Sequence, residues 1–309
     1  MNDQGKRGAF RIHLPATSAN LGSGFDTAAV ALDFGLKIEA DAAKDFAITA
    51  AGRDAERCGR IEENLILETY KQILKDHKRP IVPLSLRIMN EIPLGMGCGS
   101  SAAARLAAIA LAVHFGQLGW DTDRILEEAY TLEGHADNVA ACWLGGFVSV
   151  VCEGKTVHAA RIDPPEDWRA IIVLPAESLS TSKARAALPR NYPLEDVVAN
   201  LQSVAMLGLA FAHRRGELLR LAMKDRIHQP YRATFCPLLP LMLPLAGQSG
   251  ILGAALSGAG PAMLLILANE GVRPTASAAV ERTKENRLSV EQVFCGFSKN
   301  GARQNIETK

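Results

Sequence analysis

The segment Pro93-Leu-Gly-Met-Gly-Cys-Gly-Ser-Ser-Ala-Ala103 sets three alternating glycines directly before a helix-forming stretch. Glycine lets the backbone approach an anion closely, while free N–H groups and the helix dipole supply positive potential. Such a loop can hold a polyphosphate without a lysine, and no GxxxxGK[S/T] pattern occurs in the chain. Read locally, a purely structural turn is the competing explanation.

Three further segments concentrate polar chemistry. Pro15-Ala-Thr-Ser-Ala-Asn-Leu-Gly-Ser-Gly-Phe-Asp26 packs small residues with one amide, Asn20, and one carboxylate, Asp26, into a tight turn. Glu133-Gly-His-Ala-Asp-Asn138 gathers two acids, an imidazole and an amide beside a helix end, a set suited to Mg2+ and a polar ligand. Its bland alternative is a solvated surface. Leu256-Ser-Gly-Ala-Gly-Pro261 lies between apolar runs, where a hairpin is an equally good local reading. Arg185 and Arg232, read alone, suit a solvated helix residue and a surface salt bridge. His13, His77, His114, His158, His213 and His228 have no polar company in sequence and are assigned no chemistry.

These loops need elements to carry them. Phe10, Ile12 and Leu14 alternate with polar residues, predicting a strand that Pro15 ends. Leu84, Leu86 and Ile88 predict a second, which feeds the glycine loop and a helix from Ser100 to about His114, ended near Gly116. A helix from Asp121 or Thr122 to Gly134 brings Glu133 to its end. Apolar runs at 147–151 and 170–174 read as buried strands, separated by the linker Asp163-Pro-Pro-Glu-Asp167. Beyond it come a short helix capped by Ser180 or Thr181 and closed by Pro189, and a longer one from Leu194 to His213. Strands at 253–256 and 263–267, a helix at 275–284 and a strand at 290–297 complete the pattern, giving two α+β domains, 1–165 and 166–309.

Composition narrows the partners. Lys+Arg 34 against Asp+Glu 33 leaves a net charge of +1, with no electrostatic footprint for nucleic acid or an anionic membrane. Cys58, Cys98, Cys142, Cys152, Cys236 and Cys295 show no CxxC pairing, which favours free thiols in a reducing cytoplasm. The N-terminal residues lack an apolar signal core, and no apolar run approaches a span of about 20 residues. The expectation is a soluble, cytoplasmic protein.

Taken together the motifs resemble the GHMP kinases, which carry an N-terminal substrate segment, a GxGxGSSAA phosphate loop and a C-terminal LSGAGP turn in this order. Four details are similar to the homoserine kinase branch: Ser18-Ala-Asn-Leu-Gly22 with Gly24-Phe-Asp26; Glu133 to Asn138; Ser180-Thr-Ser-Lys-Ala-Arg185; and Asp225-Arg-Ile-His-Gln-Pro-Tyr-Arg232. The resemblance covers about Arg11 to Phe297. Cys98 stands where leucine is usual, and Ala136 and Ala141 replace common prolines.

The resemblance implies a GHMP kinase fold: a ribosomal-protein-like nucleotide domain followed by a ferredoxin-like α+β domain. It implies ATP on Pro93, Leu94, Gly95, Met96, Gly97, Cys98, Gly99, Ser100 and Ser101, with Mg2+ held by Ser101 (or Ser100) and Glu133. L-homoserine would be bound by Asn20, Asp26, His135, Asp137, Asn138, Thr181, Arg185, Arg232 and Gly260. Physically, Asp26 suits the ammonium group of a zwitterion and the two arginines its carboxylate. Asn138 is the candidate for orienting the acceptor hydroxyl. A homodimer is also implied, although no apolar stripe marks its interface. The rivals are another GHMP kinase, such as a mevalonate or diphosphocytidyl-methylerythritol kinase, and a non-catalytic ligand-binding member. A dinucleotide-binding oxidoreductase ranks last, for want of GxGxxG spacing.

Overall fold

The computed structural model describes residues 9–284 and 288–306, so the leading residues read above for a signal segment lie outside the described part. Among the described residues, eleven strands form two sheets: β1 (Phe10–Asn20), β2 (Gly24–Ala42), β3 (Ala47–Gly52), β4 (Leu84–Asn90), β5 (Phe147–Glu153), β6 (Thr156–Ile162), β7 (Arg169–Pro175), β8 (Ile251–Leu256), β9 (Met263–Leu267), β10 (Val290–Cys295) and β11 (Arg303–Ile306). The first sheet runs β11-β1-β2-β4-β3, with β5 also on β2 and β6 on β5; the second runs β10-β7-β9-β8. The last strand thus returns from the second sheet to pair with β1.

Pro15 does not end the first strand, contrary to the sequence expectation. The β1–β2 register slips between Pro15 and Thr17, with Pro15 opposite Gly35 and Thr17 opposite Ala31. A bulge of this kind breaks the ladder locally, where a residue lacking an N–H is tolerated, and the strand then continues to Asn20. That extension delivers Thr17 and Asn20 to the functional site. The long β2 changes neighbours along its length, pairing Ala28–Val30 with β5 and Leu36–Ala42 with β4. No single periodicity runs through it, which is why its sequence does not read as one strand. β3 and the helix Leu65–Asp76 were likewise not anticipated.

Alternation explains the second sheet. In β7, Ala170, Ile172 and Leu174 join the large core shared with the first sheet, whereas Ile171 and Val173 face a separate cluster with Leu239, Met242 and Val280. Covered on both faces, β7 is apolar without a break from Ala170 to Leu174. The helix Ser100–Gly116 is also buried on most sides, an alanine-rich rod whose N-terminus opens onto the space between the two sheets.

Helix Leu194–Ala212 corrects another expectation. At 19 residues and mean hydropathy 1.3 over its most apolar window, it is long and apolar enough to cross a membrane. One face packs through Leu207, Ala210 and Phe211, with the Phe211 ring 4.3 Å from that of Phe147 and 5.3 Å from that of Trp168, and most of the helix stays exposed.

Candidate active site

The glycine loop is held by its carbonyl groups. Gly95 O accepts from Leu179 N, Met96 O from Ala262 N, Gly97 O from Ser257 Oγ and Cys98 O from Thr17 N, at 2.8 to 3.3 Å. With the carbonyls turned into the protein, the N–H groups are left facing the other way. Among the described residues none of the N–H groups from Met96 to Ala102 has a protein acceptor. Gly95, Gly97 and Gly99 all take positive φ, 71°, 83° and 72°. A Cβ on Gly97 would lie 2.0 Å from Ser257 O, and one on Gly99 would lie 2.0 Å from Thr17 Oγ1. The loop is therefore a nest of donors at a helix N-terminus, built only from glycine at its tightest points.

The other motifs converge on the same cleft, of ≈ 390 Å³. Ser101 Oγ donates to Glu133 Oε2 over 2.8 Å, and Arg105 Nε, one turn further along the helix, stands 2.8 Å from the same oxygen. Arg105 was missed in the sequence, although its i+4 spacing from Ser101 places both on one helix face. A hydroxyl and a carboxylate side by side at the mouth of a phosphate nest suit a hard cation that takes its remaining ligands from phosphate and water. Among the described residues no group of three or more acidic, His or Cys ligands forms a self-sufficient metal cage.

His135 lies between two acids, Nδ1 3.1 Å from Asp137 Oδ1 and Nε2 3.8 Å from Glu133 Oε1. Burial favours its neutral form, yet the Asp137 hydrogen bond and the two negative charges outweigh burial and raise its pKa. The group is thereby biased toward imidazolium. Asn138 Oδ1 accepts from Thr17 Oγ1 at 2.5 Å, a pairing of residues 121 apart in sequence.

At the opposite wall, Asn20 Oδ1 accepts from Asp26 N, and its Nδ2 donates to Gly258 O at 2.7 Å, tying the first loop to the β8–β9 turn. Asp26 and Arg185 form a two-pronged ion pair with each other, at 2.9 and 2.6 Å. The carboxylate expected to meet a ligand ammonium and the guanidinium expected to meet a ligand carboxylate are thus partners in this structure. Asp26 accordingly holds the Arg185 pKa up.

Arg232 differs. Only 1% exposed, it donates from Nε to Ala184 O and from Nη1 to His228 Nδ1 and Gly258 O. Among the described residues no carboxylate lies within ion-pair distance, and burial followed by repulsion from Arg185 lowers its pKa. His228, given no role from sequence, holds it in place. Its Nε2 is 2.8 Å from Gly22 O, so that nitrogen donates and Nδ1 is left to accept from Arg232. Burial depresses the His228 pKa to about 4, which keeps the ring neutral. Phe25 ties the cluster together, its ring 5.5 Å from the Arg185 guanidinium carbon, 5.4 Å from that of Arg232, and stacked on His228.

Thr181 lines the cleft, but Gly260 does not; Gly258 and Ala259 of the same turn do. Gly260 sits behind them against Cys236, because its positive φ reverses the chain. The side chains of Met96 and Cys98 also turn away, Cys98 being fully buried with a thiol pushed up to about 12 by burial. The far end of the cleft is lined by Asn64, Ile66, Ile88, Asn90 and Ile92, none of which sequence reasoning had singled out. Asn64 caps helix Leu65–Asp76, and Asn90 is fixed by its bonds to Arg53 O and Ile92 O. No local motif marks them, since the slot exists only once β4 and that helix are assembled.

Comparison with known proteins gives the family of the chain. The family model for the GHMP kinases N terminal domain matches residues 64–146, and that for the GHMP kinases C terminal domain matches residues 208–286. A homoserine kinase of Solibacter usitatus is 40% identical over 293 residues, 94% of this chain and 96% of the relative. One from Thermus thermophilus is 40% identical over 292 residues, 93% and 97% of the two chains. The crystal structure of homoserine kinase from Cytophaga hutchinsonii shares the fold with a TM-score of 0.82 at 24% identity, covering 99% of this chain and 100% of that one. Motifs, fold and relatives thus agree: the chain belongs to the GHMP kinases, within their homoserine kinase family.

Proposed function

We propose that this protein transfers the γ-phosphoryl group of ATP to the side-chain hydroxyl of L-homoserine, forming O-phospho-L-homoserine for threonine biosynthesis. The observation that carries the reading is Arg232: a guanidinium 1% exposed, without a carboxylate partner among the described residues, at the wall of a cleft that also holds a donor nest. A buried, unpaired charge is costly, and a ligand carboxylate offsets that cost. Asp26 nearby suits the ammonium of the same molecule, and the zwitterion would share the Asp26–Arg185 pair already in place.

The triphosphate lies on the amides of Met96 to Ala102, with its adenine in the slot beside Asn64, Ile66 and Ile88. Ser101 and Glu133 would hold Mg2+, which neutralises phosphate charge when bound. In-line transfer depends chiefly on positioning and charge compensation. Asn138, anchored by Thr17, orients the acceptor hydroxyl, and an amide cannot act as a base. His135, held by its hydrogen bond to Asp137 and facing Glu133, lines the cleft beside Asn138 as a polar contact for the bound substrates. The same reading makes the enzyme a cytoplasmic homodimer of two domains divided near residue 165, with β11 crossing back to the first.

A coupled assay offering homoserine, mevalonate, serine and threonine in turn with MgATP tests the assignment. Turnover with homoserine well above the others is expected. Preference for mevalonate, which has no ammonium group for Asp26, would replace the reading with another GHMP kinase, and silence toward all four would favour a binding protein.

A further inference from the structure

Helix Leu194–Ala212 buries one face and leaves another bare. Leu194, Leu201 and Leu209 are 78%, 60% and 51% exposed, and Val198 is exposed beside them. Wound at 100° per residue, Leu194, Val198, Leu201, Ala205, Leu209 and Ala212 fall on one stripe, with Gly208 at its edge. From Val197 to Ala212 the helix carries no charged side chain. A continuous apolar stripe of this kind marks a contact surface, contrary to the expectation from sequence that none would be found.

The stripe is graded in size and flanked by opposite charges. Its first half carries Leu194, Val198 and Leu201; its second half carries three small residues, Ala205, Gly208 and Ala212, around the single large Leu209, and nothing lies within 4 Å of where a Gly208 Cβ would be. Glu195 and Asp196 open the helix, and His213, Arg214 and Arg215 follow it. Asp196 is paired with Arg226 and Arg215 with Glu217, whereas Glu195 and Arg214 have no ion-pair partner among the described residues.

We propose that this stripe is the contact between two copies of the chain, with the helices antiparallel about a two-fold axis near residue 203. In that arrangement Leu194 meets the small Ala212, Val198 meets Gly208 and Leu201 meets Ala205 of the other copy, while Leu209 comes opposite Val197 at the edge of the contact. The acidic opening of each helix meets the basic end of its mate, which brings Glu195 toward Arg214. An isologous contact demands this self-complementarity, in size and in charge. A parallel arrangement would set large against large and like charge against like. A membrane surface is a poorer occupant, because interfacial helices carry Lys and Arg along their polar face and this one carries none.

The interface deepens the homodimer reading, and the two are tested apart by sedimentation velocity on the full chain, with homoserine phosphorylation followed in parallel. Leu201→Glu is expected to weaken self-association by about 100-fold, because it buries an unpaired charge twice across the axis. Glu195→Lys and Arg214→Glu should each weaken it, and the double exchange should restore it. A wild-type chain that stays monomeric overturns both readings. A dimer indifferent to Leu201→Glu overturns only the interface, whereas a monomer that co-sediments with anionic phosphatidylserine vesicles through this face overturns both and assigns the stripe to a membrane surface.

Discussion

The two halves of the cleft solve the same problem, holding an anion, by opposite means. At the glycine loop, positive potential comes from backbone amides and a helix terminus, with Arg105 set back on Glu133. At the far wall it comes from two side-chain guanidinium groups, Arg185 paired with Asp26 and Arg232 buried and unpaired. A backbone nest leaves little uncompensated charge in the free protein, but it tolerates almost no change of side chain. A buried arginine accepts many substitutions sterically, but it burdens the fold until a ligand arrives. The first region is therefore specified by shape and the second by charge, and substitutions should separate the two.

The largest effect is expected at Gly97. Alanine there combines φ of 83° with a Cβ 2.0 Å from Ser257 O, so the loop must move. Thermal unfolding should report a loss of about 3 kcal/mol or more, and stabilisation by MgATP should vanish. Arg232→Met should disturb the fold less. It removes an unpaired buried charge but also the bonds to Ala184 O, Gly258 O and His228 Nδ1, two opposing effects that should leave the unfolding midpoint within a few degrees, while homoserine KM increases by an equivalent of about 2 to 4 kcal/mol. A large drop in stability with unchanged KM would show Arg232 to be structural.

The His228 that carries Arg232 supplies a pH test. Its pKa is near 4 in the fold against an ordinary histidine value of about 6.5, so the unfolded chain takes up a proton first as pH falls. The stability this neutral ring contributes is complete above about pH 6.5 and is lost between there and pH 4, to a limit of roughly 3 kcal/mol. Denaturant titrations across that range should show the slope in the wild type and a reduced one in His228→Gln. The smallest effect belongs to Asp26→Asn. The Asp26–Arg185 pair is about a third exposed, 34% and 37%, so its loss should lower stability by no more than about 1 kcal/mol. Homoserine KM should nevertheless rise, because the ammonium loses its partner.

The contrast also governs what the sequence made legible. The glycine loop was readable because its chemistry lies within eleven consecutive residues, and the helix ends at Asp121 and Gly134 declared themselves through a cap and a positive-φ glycine. The charged wall was readable only as residue types. Asp26 and Arg185 are 159 residues apart, and nothing local shows that they meet each other before any ligand. Thr17 and His228 act through partners 121 and 206 residues away, and their segments look ordinary in isolation. The strand through Pro15 failed for a related reason. Whether a proline ends a strand depends on the register of its neighbour, which is a tertiary fact.

The most direct test of the account is a crystal structure with a non-hydrolysable ATP analogue, Mg2+ and L-homoserine bound together. The account predicts the triphosphate on the amides of Met96 to Ala102 and the homoserine carboxylate on Arg232, with the side-chain hydroxyl facing the terminal phosphate beside Asn138. A nucleotide seated away from the glycine loop, or an amino acid whose carboxylate leaves Arg232 unpaired, would contradict it.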